Sequence, residues 1–319
     1  MAATIALAYH NLSIMLAAGV PMLRSLNTVA SGLDRHLQAE FLKLADAVTA
    51  GSTIAQTMSR CPRIFDPLDV MIIHAAETSG SLPELLDLLS KWHELCQRIA
   101  RNIHSGMLFP IVQIHLTALL APLPTFFLGG RQTKPYLFSV ICILLLFYIP
   151  AAVVYVIRNM TPKTGPLRTS LDRLTIKIPV LGKAVYKMSL SRYCWVFHML
   201  LKAGLPITDS AEKAAAAAGN AVVADQLRPG AASAKAGSPV SAGFSRQLPT
   251  DFLDIWRIGE ETGLLDDVTK RLADSNAEAG EFLFTEFARW LPRLVYVLIC
   301  LLIICFIFRN FAMVMSAGL

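Results

Sequence analysis

Two short segments have residue types and spacing close to those of a zinc site and of a phosphate-binding loop. HELCQ, which begins at His93, resembles the start of the zinc-binding pattern H-E-x-x-H, but Gln97 replaces the second histidine and removes one metal ligand. Gly182 and Lys183 stand in VLGKAV, which lacks the first glycine and the hydroxyl residue of a phosphate-binding P-loop. The sequence therefore predicts neither a metal site nor an ATP site.

A pair of histidines could act on protons. His104 and His115 are eleven residues apart, which is about three turns of a helix, so they could share one face and form a proton relay. However, no carboxylate accompanies them in the apolar segment 107–128, and no G-x-S-x-G motif supplies a serine nucleophile. We predict that the chain is not an enzyme and needs no cofactor.

An acidic turn occurs twice in the sequence, and it is the group of polar residues most typical of a functional contact. Its residues are Glu77, Thr78 and Gly80 in the first copy and Glu260, Glu261, Thr262 and Gly263 in the second. Glycine at this point stops one helix so that another can begin. The glutamates could fix the corner through backbone hydrogen bonds, contact a partner or a neighbouring domain, or coordinate a divalent cation. We take these residues as candidate partner or inter-domain contacts.

The acidic turns belong to an internal repeat. LAAGVPMLRSL, from Leu16, resembles LKAGLPITDSA, from Leu201. The matched residues are Gly19 with Gly204 and Pro21 with Pro206 at an offset of 185, Gly51 with Gly237 at 186, and Glu77 with Glu261 and Thr78 with Thr262 at 184. In A-G-x-P, glycine ends one helix and proline fits the first turn of the next, which predicts two structural corners. In this alignment the second acidic turn is one residue shorter than the first. We therefore do not assume that Gly80 and Gly263 are equivalent.

Both copies are predicted to be small helix bundles. Apolar residues recur every three or four positions, as at Leu85, Leu89 and Trp92, without sustained strand alternation. Thr53 and Gln56 have the spacing of a capping box. The segment RPGAASAKAGSPVSAG, from Arg228, is rich in small residues and predicts a mobile loop. The predicted fold class is all-α.

The composition favours an integral membrane protein. Of the 319 residues, 54% are hydrophobic and 16% are charged, and the mean hydropathy is +0.51. The segments 107–128, 136–157 and 291–315 are apolar and long enough to cross a bilayer as helices. The net charge of +6 is modest, and basic residues in such a protein more often mark cytoplasmic flanks than nucleic-acid contacts, so no nucleic acid is expected.

Basic residues predict the orientation. Arg98 and Arg101 precede the first span, and Arg158 and Lys163 follow the second, which places these sides in the cytoplasm. The predicted order is a cytoplasmic helical domain 1–106, span 107–128, external loop 129–135, span 136–157, cytoplasmic helical domain 158–290, span 291–315 and external tail 316–319. Arg309, near the outer end of the third span, would either snorkel to the interface or act as a buried functional charge.

Taken together, these segments resemble the type II secretion F family, the polytopic inner-membrane platform proteins of type II secretion systems and type IV pili. The resemblance rests on IPVLGKAVYKMSLSRYCWVFHMLLKAGLPITDSA from Ile178, on the turns at Gly51 and Gly237, and on AAETSGSLPELL and GEETGLLDDV. It covers both helical domains and matches the order of domains and spans. One departure is that the first copy begins close to residue 1, so the usual N-terminal extension is not expected.

The resemblance implies two six-helix cytoplasmic domains in a homo-oligomeric platform of the bacterial inner membrane. It implies as partners a cytoplasmic secretion or assembly ATPase, pilin or pseudopilin subunits and other inner-membrane assembly proteins. The expected function is to couple the ATPase to pilin or pseudopilin assembly and protein secretion. The alternative is a small membrane transporter or transporter subunit that would use Gln113 and His115 as a solute or proton path, for which three spans are few.

Overall fold

The computed structural model describes residues 2–128, 133–160 and 166–317, and every regular element within these ranges is an α-helix. The predicted all-α class is confirmed. The helices are α1 (Ala2–Ala17), α2 (Met22–Ser31), α3 (Arg35–Thr49), α4 (Ile54–Ser59), α5 (Pro67–Ser79), α6 (Leu82–Leu120), α7 (Leu123–Leu128), α8 (Thr133–Met160), α9 (Pro166–Lys177), α10 (Leu181–Lys202), α11 (Ile207–Ala217), α12 (Ala221–Lys235), α13 (Val240–Gly243), α14 (Thr250–Thr262) and α15 (Leu265–Ala317).

The chain divides into two compact units. The first contains residues 1–100 and 172–281, and the second contains residues 101–171 and 282–319. Within the first unit, α1 to α5 and the part of α6 up to residue 100 form what we call the first repeat. The second repeat consists of α10 to α14 and the part of α15 up to residue 281. The six helices of the two repeats follow one another in the same order.

Glycines with a positive φ end equivalent helices in the two repeats. Gly19 and Gly204 follow α1 and α10 with φ of 78° and 75°, and Gly51 and Gly237 follow α3 and α12 with φ of 79° and 76°. A side chain is strained in this left-handed conformation, so glycine sets the direction in which the next helix leaves. The prolines of the A-G-x-P corners stand one position earlier than predicted, at the N-caps of α2 and α11.

The start of α4 contains one half of the predicted capping box. The Thr53 side chain accepts a hydrogen bond from the backbone N–H of Gln56 at 3.2 Å. An N-cap side chain of this kind satisfies one of the N–H groups that have no partner inside the helix. The prediction is thus correct for the threonine, which begins the helix as its sequence position indicates.

The prediction of a mobile loop from Arg228 is wrong. Helix α12 continues through Pro229 to Lys235, and Val240–Gly243 forms α13. A Cβ atom on Gly230 would lie 2.6 Å from a ring carbon of Phe244, and one on Gly243 would lie 2.3 Å from the Pro229 carbonyl oxygen. The small residues are therefore explained by the close approach of α12 and α13, a packing role that composition alone does not distinguish from flexibility.

The second unit contains α7 and α8. The predicted segment 107–128 is not one helix, because α6 ends at Leu120 and α7 begins at Leu123, with a turn that includes Pro122 between them. Proline lacks an N–H group, which favours a break at this point. The hydroxyl of Tyr136 on α8 donates to the carbonyl of Leu119 at 2.9 Å. This bond ties α8 to the end of α6.

Across residues 2–128, 133–160 and 166–317, no helix combines the length and the apolar character needed to cross a membrane. The three predicted spans are therefore not confirmed. The side chains of His104 and Arg309 and parts of the predicted external segments 129–135 and 316–319 lie outside the described residues.

Candidate functional site

Glu77, near the end of α5, caps the start of α4. Its carboxylate accepts hydrogen bonds from the backbone N–H groups of Ile54 at 2.6 Å and Ala55 at 3.2 Å. The first N–H groups of a helix have no partner within it, and a negative charge at that end is favoured by the helix dipole. Glu77 therefore fixes the angle between α4 and α5.

In the second repeat, Glu260 caps the start of α13 in the same way. Its carboxylate accepts from the N–H of Val240 at 2.6 Å and from the N–H of Ser241 at 3.2 Å, and it also binds the Ser241 hydroxyl. Val240 and Ser241 begin α13, the helix equivalent to α4. Among the three roles left open by the sequence, corner fixation is the one that these contacts show for Glu77 and Glu260.

The alignment of Glu77 with Glu261 is wrong, because Glu260 is the structural equivalent of Glu77. Gly80 and Gly263 are the C-caps of two thirteen-residue helices, with φ of 76° and 72°, and each capping glutamate lies three residues before its glycine. The two turns have the same length, since the next helices begin at Leu82 and Leu265. The second repeat is shorter elsewhere, because the starts of α4 and α5 are 13 residues apart whereas the starts of α13 and α14 are 10 residues apart.

The other turn residues lie at the surface. The Thr78 hydroxyl donates to the His74 carbonyl at 2.8 Å, and the Thr262 hydroxyl donates to the Ile258 carbonyl at 2.6 Å. Both bonds are made within their own helix. Glu261 is exposed, and no hydrogen bond or ion pair to another described residue is seen for it. A partner contact at Glu261 stays a prediction.

A buried polar cluster in the first repeat was missed by sequence reasoning. The carboxylate of Asp69, on α5, is 1% exposed. It accepts a hydrogen bond from the Tyr9 hydroxyl at 3.1 Å, and Nε2 of His93 lies 3.0 Å from each of its oxygens. Asp69 shares a helix face with the buried Ile73 and Ala76, and an acid on an apolar face needs partners. That pattern is the sequence signal that could have revealed the cluster.

The hydrogen bonds of Asp69 with Tyr9 and His93 give this cluster a structural role. Burial and the negative charge of Asp69 raise the pKa of the Tyr9 phenol well above its usual value, so the phenol stays protonated and keeps donating. The equivalent positions of the second repeat hold Cys194, Phe252 and Asn276, which cannot form the same network. In the part of the chain that the structure describes, no group of three or more histidine, cysteine or acidic residues could hold a metal ion.

The two repeats touch each other inside the first unit. Helix α10 packs against α5. The guanidinium of Arg192, on α10, lies 5.9 Å from the centre of the Trp92 ring and 4.0 Å from the carboxylate of Asp66. Arg98 and Glu281 form a second long contact at 4.0 Å. The seam between the repeats therefore includes a cation–π contact and weak ion pairs.

Comparisons with known proteins match both repeats. A family model described as "Type II secretion system (T2SS), protein F" matches residues 8–129 and 193–314. The type IV pilus assembly protein PilC of Pseudomonas aeruginosa is 26% identical over 296 residues, which cover 84% of this chain and 78% of that protein. The type II secretion system protein F of Vibrio cholerae is 23% identical over 298 residues, 87% of this chain and 73% of that protein. Another relative, PilC of Thermus thermophilus, is 26% identical over 290 residues, 83% of this chain and 70% of that protein.

Proposed function

We propose that this chain, which belongs to the type II secretion system protein F family, is a non-enzymatic inner-membrane platform of a type II secretion or type IV pilus machine. In this role it couples a cytoplasmic assembly ATPase to the assembly of pilin or pseudopilin subunits and to protein secretion. The observation that carries the proposal is the family match to both halves of the chain, on two repeats with the same order of six helices.

The membrane placement is part of the proposal. Residues 1–106 and 158–290 would be cytoplasmic, and 107–128, 136–157 and 291–315 would cross the inner membrane, with the C-terminus in the periplasm. Support comes from the second unit, where large apolar side chains are exposed; examples are Phe109, Leu116, Phe127, Phe138 and Leu145. Exposed apolar side chains in such number are costly in water and favourable in lipid.

The energy source must act from outside the chain. No P-loop motif is present in the sequence, so an ATPase must bind to transmit its movement. Glu261 is a suitable contact because it is exposed at a turn whose neighbouring carboxylate, Glu260, holds the corner in place. A rigid corner transmits force between helices better than a flexible loop does.

Co-purification tests whether the chain binds the ATPase and whether Glu261 is part of the contact. The full chain in detergent is mixed with the assembly ATPase of the same cell and compared with Glu261→Lys and with Glu94→Lys, an exposed acid of the first repeat. We expect the native chain and Glu94→Lys to retain the ATPase, and Glu261→Lys to bind it at least about tenfold more weakly, because charge reversal at a contact is repulsive. Failure of the native chain to bind, under conditions that preserve known complexes, would overturn the coupling.

A further inference from the structure

One face of α10 is buried, although the same face of α1 is exposed. Val196 and Met199 are fully buried on α10. Their equivalents in the first repeat, at an offset of 185, are Asn11 and Ile14, and Ile14 is 54% exposed. Residue 192 on the same face is the arginine that contacts the first repeat, and its equivalent, Leu7, is also 54% exposed. The spacing of three and four residues places these positions on one side of the helix.

The opposite relation holds for α5 and α14. Ile72 and Ala75 are 0% and 5% exposed on α5, whereas their equivalents at an offset of 183, Ile255 and Ile258, are 37% and 56% exposed on α14. Leu68, one turn earlier, is buried as well. The exposed face of α14 therefore has an isoleucine where α5 has Ala75, and Asp251 where α5 has Leu68.

A single contact accounts for both differences. Helix α10 of the second repeat packs on α5 of the first, and Arg192 reaches Asp66 at the edge of that contact. This contact joins the two faces whose counterparts on α1 and α14 are exposed, and we attribute the extra burial on α10 and α5 to it. Among the described residues, the α1 face (Leu7, Asn11, Ile14) and the α14 face (Asp251, Ile255, Ile258) are exposed. Each matches one half of a contact that the molecule already makes.

We propose that the α1 face of one copy docks on the α14 face of a second copy, in the arrangement that α10 adopts on α5. The occupant is a second copy of this chain, because the required complement of each face is present on the same molecule. Leu7 and Ile14 would pack against Ile255 and Ile258 and remove apolar surface from water.

The contact differs from the internal one in its chemistry. The cation–π pair of Arg192 and Trp92 has no counterpart, because Leu7 and Ser275 stand at the equivalent positions. The docked surface is therefore mainly apolar, with Asp251 at its edge near Lys187. Since two different faces meet, the contact is head-to-tail and generates a ring or an open chain of copies. It rests on the proposed platform function, for which the family resemblance implies a homo-oligomer.

Photo-crosslinking between two forms of the full chain tests the contact. One form carries a benzophenone amino acid in place of Leu7, and the other is isotope-labelled, so that a product between copies is recognised by mass. We expect the main product between copies to map to residues 249–262 or to Ser275, which are the counterparts of α5 and of the residues that Arg192 contacts. In the labelled form, Ile258→Glu should reduce that product at least about tenfold. Ile207→Glu changes another exposed isoleucine, on α11, and should leave the product unchanged.

A charge-swap experiment distinguishes head-to-tail docking from a symmetric contact. The benzophenone form with Ile14→Arg should crosslink poorly to the native labelled form, and it should regain crosslinking with the labelled form that carries Ile258→Glu, because opposite charges then face each other. Leu42→Arg is the matched control. Leu42 is exposed outside the α1 face, and the second repeat already has the exposed Arg228 at the equivalent position, so this change should leave crosslinking unchanged.

Two results would overturn the inference. The first is a product that maps to α1 of the other copy and is insensitive to Ile258→Glu, which would show a symmetric α1 contact. The second is the absence of any product between copies. If the ATPase still co-purifies in either case, the platform function stands while this contact fails.

Discussion

Glu77 and Glu260 hold the same position in the two repeats, three residues before a left-handed glycine, and each carboxylate accepts two backbone N–H bonds from the first turn of the neighbouring short helix. The short helices α4 and α13 contain six and four residues. Helices of this length are not stable by themselves. The two glutamates therefore stabilise elements that propensity alone would not form.

The cap geometry predicts a clear difference between adjacent glutamates. Glu77→Ala and Glu260→Ala should each lower the free energy of unfolding by about 2 kcal/mol, because two N–H groups lose a charged acceptor. Glu261→Ala should change it by less than about 0.5 kcal/mol, as is usual for an exposed residue. Denaturant unfolding of the full chain in detergent measures these values. Equal effects of Glu260→Ala and Glu261→Ala would contradict the assigned register.

The elements that the sequence predicted well are those set by local chemistry. The glycines at positions 19, 51, 204 and 237 mark helix ends because only glycine adopts their backbone conformation without strain. Helical periodicity was sufficient to identify all-α bundles. The same local rules assigned Thr53 correctly as the residue that begins α4.

The features that the sequence did not predict depend on contacts between residues that are far apart in the chain. Asp69 meets Tyr9 and His93, which are 60 and 24 residues away, so no local pattern joins them. The register of the acidic turns failed because two successive glutamates, Glu260 and Glu261, match Glu77 equally well by residue type. The bonds from the start of α13 and the position of the left-handed Gly263, three residues after Glu260, separate them.

The Tyr9 hydroxyl is predicted to contribute to stability at neutral pH, unlike the hydroxyl of Tyr193. Tyr9→Phe should lower the free energy of unfolding by roughly 1 to 3 kcal/mol, because the buried Asp69 carboxylate loses the hydrogen bond from the Tyr9 hydroxyl and keeps only the contact with His93. Tyr193 is equally buried, and its hydroxyl has no hydrogen-bond partner among the described residues. Tyr193→Phe should therefore be neutral or stabilising. Unfolding curves at pH 7 compare the two, and equal losses would contradict a role for the Asp69 bond.

At alkaline pH the same two variants should behave alike. Burial raises the pKa of both Tyr9 and Tyr193 well above the usual value, with Asp69 adding to the effect on Tyr9. An unfolded phenol ionises near pH ~10 while the folded one stays protonated, so stability is full below that pH and falls as pH rises above it. Each Phe variant should reduce the fall by about 1.4 kcal/mol per pH unit.

Stability measured at several pH values above ~10 checks this, with tyrosinate absorbance reporting ionisation. The native chain, measured in parallel, is the reference against which the slope of each variant is compared. A steeper fall in either buried variant would have the wrong sign for a raised pKa.

Arg192 is predicted to hold the two repeats together without contributing much to global stability. Its guanidinium lies over the Trp92 ring and near the exposed Asp66, and such partly exposed contacts each contribute about 1 kcal/mol or less. Arg192→Ala should therefore leave the unfolding midpoint nearly unchanged while α5 opens more often toward solvent. Hydrogen exchange in a peptide covering Leu68 to Ala75 should become at least about threefold faster.

Arg192→Lys identifies the interaction responsible. A lysine keeps the charge near Asp66 but loses the planar group that stacks on Trp92, so exchange should stay fast if the ring contact dominates. The matched control is Arg228→Lys, because Arg228 pairs only with Asp225 on its own helix among the contacts of the described residues. Unchanged exchange on α5 in Arg192→Ala would show that the apolar faces of α5 and α10 hold the repeats together without the arginine.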